Sequence, residues 1–231
     1  MENLKQLLQE CMENDPRLSL TEAVYSVLLD QIISFNIPPE TKLVLSHLAI
    51  DFGISMTPVR DAVMMLTESK LIEINANKKA TVVGYNEDNS RNLQPFREML
   101  ETCAAVQACT AASDETISEL VEAVERNARL YEEAKLSGDP ELVNRLVNED
   151  LYFHRALVKA SGNKYIIRQY DKIYPSIVFM RKFFSPFDFD PIEYPQAHRA
   201  IATALQTRTA SFVRSAIGVH FQALDSAKRF E

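Results

Sequence analysis

The 231-residue sequence has no tryptophan, five glycines and three cysteines, and its 32 acidic side chains outnumber 25 basic ones. Each shortage excludes something. Cys11, Cys103 and Cys109 form no metal-ligand spacing and cannot all pair, which excludes a disulfide scaffold and points to a reducing cytoplasm. With so little glycine, helices are expected to dominate. No apolar run approaches about 18 residues, so no membrane span is expected. The opening Met1–Gln6 lacks the basic-then-apolar pattern of a secretory signal. A net charge of −7 argues against a protein that coats nucleic acid through bulk electrostatics. What is present, 46% hydrophobic and 25% charged residues, is the mix of a globular protein of one or two domains.

The split of that charge along the chain is informative. Residues 1–85 carry 7 basic and 11 acidic side chains, residues 86–231 carry 18 and 21, and residues 40–85 carry 5 and 5. Any nucleic-acid contact must therefore come from a local arrangement of few cations.

Ser19-Leu20-Thr21-Glu22 has the spacing of a capping box, and Val24, Val27, Leu28 and Ile32 follow it as one helical stripe. Pro38-Pro39 is expected to end that helix. A short helix fits Ser46–Phe52, with Gly53 just past its end. A third starts at Thr57-Pro58, with Thr57 as its cap and a Val59, Ala62, Val63, Leu66 stripe. Leu71–Ile74 and Ala80–Val83, around the polar Asn75–Lys79 tip, read as a hairpin. The remaining chain reads as helices over 89–112, 114–137, 140–160, 163–184, 192–206 and 209–230, interrupted by a Ser185–Pro191 loop. The expected fold is mainly α: an N-terminal winged helix-turn-helix of three helices plus a β-hairpin, then an all-α antiparallel helical bundle. The expected division is an N-terminal extension over 1–18, the winged domain over 19–86 and the helical domain over 87–231.

In a helix-turn-helix the second helix lies in the major groove, with its first residues at base edges or phosphates. Here that helix follows Gly53. Arg60 stands one position round from the Val59/Val63 stripe and faces outward, placed to give a guanine two parallel hydrogen bonds. Ser55, Met56 and Thr57 sit at the helix start, where free amides suit a phosphate. Lys78 and Lys79 at the hairpin tip suit the adjacent groove or backbone. Such proteins usually read two-fold related half-sites, so a homodimer on double-stranded DNA is expected.

A second constellation lies in the helical half. Asp150 and His154 are four apart and share a helix face, flanked by Val147, Leu151, Leu157 and Val158. His198 shares a face with Tyr194, Ile201 and Leu205, and His220 with Val213, Ala216, Ile217 and Leu224. Burying these polar groups without partners would cost several kcal/mol, about what a shared divalent cation removes. One oxygen and three nitrogens suit zinc first, with nickel, manganese, iron or cobalt as alternatives. Separate hydrogen bonds to neighbours, with an arginine on Asp150, would also satisfy them.

Ile54-Ser-Met-Thr-Pro-Val-Arg-Asp-Ala62, with Lys42-Leu43 upstream and Leu71-Ile72 downstream, resembles the GntR family of bacterial transcription regulators. Three positions depart from its usual pattern: Met56 replaces an arginine, Leu45 an acidic residue, and Lys78-Lys79 an Arg-Gly. Asp150–His154 with its continuation to Asn163, His198–Leu205, and Phe96-Arg97-Glu98-Met99-Leu100-Glu101 resemble the FCD domain, the effector-binding domain of the FadR branch. The resemblance implies a metal on Asp150, His154, His198 and His220. It also implies a small organic-acid effector, for whose carboxylate Arg97 and then Arg181 are the candidate clamps. Two other readings use the same residues. One is a metal-dependent hydrolase or lyase with Glu149 or Glu101 as base. The other is a DNA binder with a purely structural metal.

Overall fold

The computed structural model describes residues 3–75, 79–84, 87–182 and 193–226. They belong to two compact units, residues 1–87 with 172–180, and residues 88–171 with 181–231.

The first unit contains α1 (Leu4–Asn14), α2 (Leu20–Ile33), β1 (Lys42–Leu43), α3 (Leu45–Phe52), α4 (Met56–Glu68), β2 (Ile72–Ile74) and β3 (Ala80–Val82). The capping box forms at the start of α2: the Ser19 hydroxyl accepts from the Glu22 amide, and the Glu22 carboxylate accepts from the Ser19 amide at 2.8 Å. That start sets the phase of the helix, so Val24, Leu28 and Ile32 are fully buried together with Val59, Ala62, Val63 and Leu66 of α4. The same core takes in Leu4 and Leu8 of α1, so the segment read as an extension contributes to it.

Three local features differ from the sequence reading. Helix α2 stops at Ile33, ahead of the two prolines, because Phe35 turns into the left-handed region (φ 57°) and the Ile37 amide returns to the Gln31 carbonyl. Helix α4 opens at Met56 with Ser55 in the cap position, leaving Thr57 inside the first turn. The hairpin β2–β3 acquires a third strand, giving the antiparallel order β1-β3-β2 with Lys42 opposite Thr81 and Ile74 opposite Ala80. The α3–α4 turn is made at Gly53, whose φ of +69° any side chain would strain.

The second unit is built from α5 (Glu87–Ala111), α6 (Asp114–Ser137), α7 (Pro140–Ala160), part of α8 (Lys164–Arg181), α9 (Glu193–Gln206) and α10 (Ala210–Ser226). Alanines 105 and 108 of α5 pack with Leu120 and Val124 of α6, Phe153 and Leu157 of α7, Ile201 and Leu205 of α9, and Ile217 and Phe221 of α10. Residues 172–180 of α8 belong to the first unit, where Phe179 is buried in the core and Ser176 Oγ donates to the Ser69 carbonyl. No helix among the described residues is long and apolar enough to cross a membrane. The Ser185–Pro191 loop, Lys78 and the side chains of Tyr194 and Leu224 lie outside what is described.

Candidate metal centre

Helix α7 is started by Asp139, whose carboxylate accepts from the Glu141 amide, and by Pro140 in its first turn. With that start, the buried stripe of Leu146, Val147, Leu151, Leu157 and Val158 carries Asp150 and His154 inward with it. His198 comes from α9 and His220 from α10. All four polar side chains are 3% exposed or less.

The three histidines each offer a ring nitrogen within 4.8 Å of the others. His154 Nε2 lies 3.2 Å from His198 Nε2, and Asp150 Oδ1 lies 3.3 Å from His198 Nε2 and 3.8 Å from His154 Nε2. Donors bound to one cation at about 2.0–2.2 Å stand at such separations from one another. The Phe153 ring packs edge-on at 5.2 Å from both His154 and His198, and Phe221 closes on His220 at 5.4 Å.

Two arginines enter the same site. Arg181 Nε donates to Asp150 Oδ2 at 3.3 Å, so the aspartate does pair with an arginine and keeps its other oxygen toward the histidines. Arg97 lies over the Phe221 ring at 5.2 Å and donates through Nε to Glu101 at 2.6 Å. Its Nη2 is buried with no hydrogen-bond partner among the described residues.

Burial pushes the protonated forms of His198 and His220 down, beyond what Asp150 can offset, and leaves both imidazoles neutral at pH 7. Burial alone would raise the Asp150 carboxyl; the guanidinium charge of Arg181 beside it acts the other way and keeps the group ionised. One carboxylate and neutral imidazoles are the protonation states a metal ligand set requires. His220 Nε2 has no hydrogen-bond partner among the described residues, and a buried polar atom in that state is costly unless something else takes its lone pair. The donor set therefore fits a divalent transition metal.

Sequence reasoning gave Glu101 a place in the FCD-like Phe96–Glu101 segment and a part as a base. It is 1% exposed, with Oε1 accepting from Arg97 Nε and, at 2.9 Å, from the Tyr170 hydroxyl, while Oε2 sits 2.6 Å from His154 Nδ1. Burial would raise its carboxyl, but the charge of Arg97 and the hydrogen bond with His154 bring it well below the usual carboxylate range. With both oxygens engaged and the group held ionised, it is a poor base. Glu149 is turned to Arg126 at 3.4 Å. The Arg97-x-x-x-Glu101 spacing signals the helix pair; nothing in the sequence signals Tyr170. Asn163 caps α8 through the amides of Tyr165 and Ile166.

On the first unit, Ser55, Met56, Thr57 and Arg60 are exposed along the opening of α4, beside the fully buried Val59. Lys79 and His47 are exposed as well.

Comparison with known proteins places both units. Residues 93–223 match the FCD domain, and residues 20–83 match the bacterial regulatory proteins of the gntR family. The HTH-type transcriptional repressor RspR of Escherichia coli (strain K12) is 23% identical over 219 residues, covering 93% of this chain and 91% of its own. The gluconate operon transcriptional repressor of Bacillus licheniformis is 26% identical over 145 residues, covering 63% of this chain and 56% of its own. The solved structure of E. coli McbR/YncC shares the fold, with a TM-score of 0.67 and 21% identity over 90% of this chain and 96% of that one. The matched families are those of transcriptional regulators, not enzymes.

Proposed function

The chain belongs to the gntR family of bacterial regulatory proteins and carries an FCD domain, and on that premise we propose that it is a cytoplasmic homodimer whose operator affinity is set by a small carboxylate held at a metal in the helical unit. The observation that carries the reading is the buried convergence of Asp150, His154, His198 and His220 from three helices, with Arg97 beside them. Asp150 and the three histidines hold the metal, zinc ahead of nickel, manganese, iron or cobalt. A metal so held supplies a Lewis-acidic position for one carboxylate oxygen. The unengaged Nη2 of Arg97 supplies a charge-assisted hydrogen bond to the same group, and Arg181 is a second cation within the site. On the DNA side, Arg60 reads a base, Ser55, Met56 and Thr57 approach the phosphates, and Lys79, with Lys78 before it in the sequence, supplies cations for the adjacent groove or backbone.

Elemental analysis of the purified chain is expected to find one metal per protomer and a clear loss in His198→Ala; full occupancy in that variant overturns the ligand set. With metal loaded and an operator selected from random-sequence DNA, a panel of organic acids is expected to include one that changes DNA affinity by about 5- to 150-fold. A panel without effect overturns the sensor reading and leaves a structural metal.

A further inference from the structure

Glu101 is not among the four candidate ligands, yet it holds three hydrogen-bond partners: Arg97 Nε and the Tyr170 hydroxyl on Oε1, and His154 Nδ1 on Oε2. Three helices meet at this carboxylate, α5 carrying Glu101 and Arg97, α7 carrying His154 and α8 carrying Tyr170. A carboxylate has only acceptors, and a neutral imidazole has one N–H. A 2.6 Å contact between Oε2 and Nδ1 therefore puts a ring proton of His154 on Nδ1, and in the neutral ring that a metal ligand requires Nε2 is the bare lone pair. Nε2 is the atom that stands 3.2 Å from His198 Nε2 and 3.8 Å from Asp150 Oδ1. The two donors on Oε1 fix the carboxylate, so the ring it holds cannot turn over or exchange its proton position without breaking a buried ionic hydrogen bond.

We propose that Glu101, anchored by Arg97 and Tyr170, is the positioning residue of the metal centre: it locks His154 in the Nδ1–H tautomer and presents Nε2 to a divalent cation. This rests on the metal reading given above. Carboxylates in this relation to a ligating histidine are worth about 10- to 100-fold in metal affinity. The same arrangement divides the work of Arg97, whose Nε holds Glu101 while Nη2 is left for an incoming anion.

Two measurements test it. In the full chain labelled with 15N-histidine and stripped of metal by a chelator, long-range 1H–15N spectra report which ring nitrogen carries the proton, and the His154 signals are identified by their loss in His154→Gln. The expected state is Nδ1–H; a wild-type His154 protonated on Nε2 overturns the proposal, whatever any variant does. In Glu101→Gln the tautomer is expected to redistribute toward Nε2–H. Zinc, titrated in competition with a chromogenic chelator, is expected to bind that variant about 10- to 100-fold more weakly at one ion per protomer. Equal zinc affinity in wild type and Glu101→Gln overturns the role of Glu101 while the metal reading stands. A wild-type chain that takes up no zinc, nickel, manganese, iron or cobalt overturns the metal reading and the proposal with it. Should Glu101→Gln not fold, the wild-type tautomer decides.

Discussion

Arg60 and Val59 are neighbours with opposite fates. Both lie on α4, the helix that follows the Gly53 turn, yet Val59 is fully buried and Arg60 is exposed. An exposed side chain away from the core can be truncated with a stability change of about 0.5 kcal/mol or less. A guanidinium that gives guanine two hydrogen bonds contributes about 1–3 kcal/mol of discrimination against the wrong base. Arg60→Ala is therefore expected to keep its melting temperature and lose about 5- to 150-fold in affinity for a selected operator, with a smaller loss on random DNA. Fluorescence anisotropy at one fixed salt concentration checks it, because binding through phosphates depends steeply on salt. Equal loss on operator and random DNA would recast Arg60 as a phosphate contact. The contrast between these residues was legible in advance because it needs only helical periodicity. The partners of Glu101 were less so: Arg97 lies one turn away, but Tyr170 is 69 positions along the chain and reaches it only through the tertiary fold.

Elements were most legible where local chemistry sets their ends. The Ser19/Glu22 box starts α2, Asp139-Pro140 starts α7, and Gly53 and Gly138 follow α3 and α6 in left-handed conformations. They were least legible where the end is a tertiary choice. The sequence of α2 could continue to the prolines, but the chain turns at Phe35, whose ring meets Phe179 edge-on at 5.8 Å. Strand β1 has two residues, too few for any alternation to show, and exists because β3 offers it a partner. For the first unit this gives a prediction about a cap. Ser19→Ala removes the acceptor of the Glu22 amide and the donor to its carboxylate, at a cost of about 1 kcal/mol, read as a lower urea midpoint for the unfolding phase of that unit. The sign with pH follows from Glu22, whose carboxyl the Ser19 hydroxyl and amide hold below its ordinary value of 4.5. Its contribution is complete above that value and fades as pH falls through the lower folded-state value. The gap between wild type and Ser19→Ala should therefore narrow in acid; a gap that widened there would show that Glu22 does not act through the cap.

The whole molecule carries a net charge of −7, with no surplus of cations in the stretch that reads DNA. On the proposed reading, affinity for DNA is concentrated in a few contacts, and in a dimer a modest change in how two such heads are presented to paired half-sites is enough to alter it. An organic acid can produce that change only by binding one arrangement of the dimer better than another. The coupling is a property of the equilibrium between the arrangements and not of a route through the chain, so it has to appear from both ends. If the acid changes operator affinity by a given factor, the operator must change acid affinity by the same factor and in the same sense. Isothermal titration of the acid into the metal-loaded chain, free and then saturated with operator, measures this directly. A corepressor should bind the complex more tightly than the free protein, and an inducer more weakly, by the factor seen in DNA binding, expected at about 5- to 150-fold. Arg97→Gln should shrink both factors together, since a clamp that distinguishes the arrangements enters each side of the cycle once. An acid that shifts operator binding while its own affinity is indifferent to operator would place its action outside the equilibrium of the free and DNA-bound dimer.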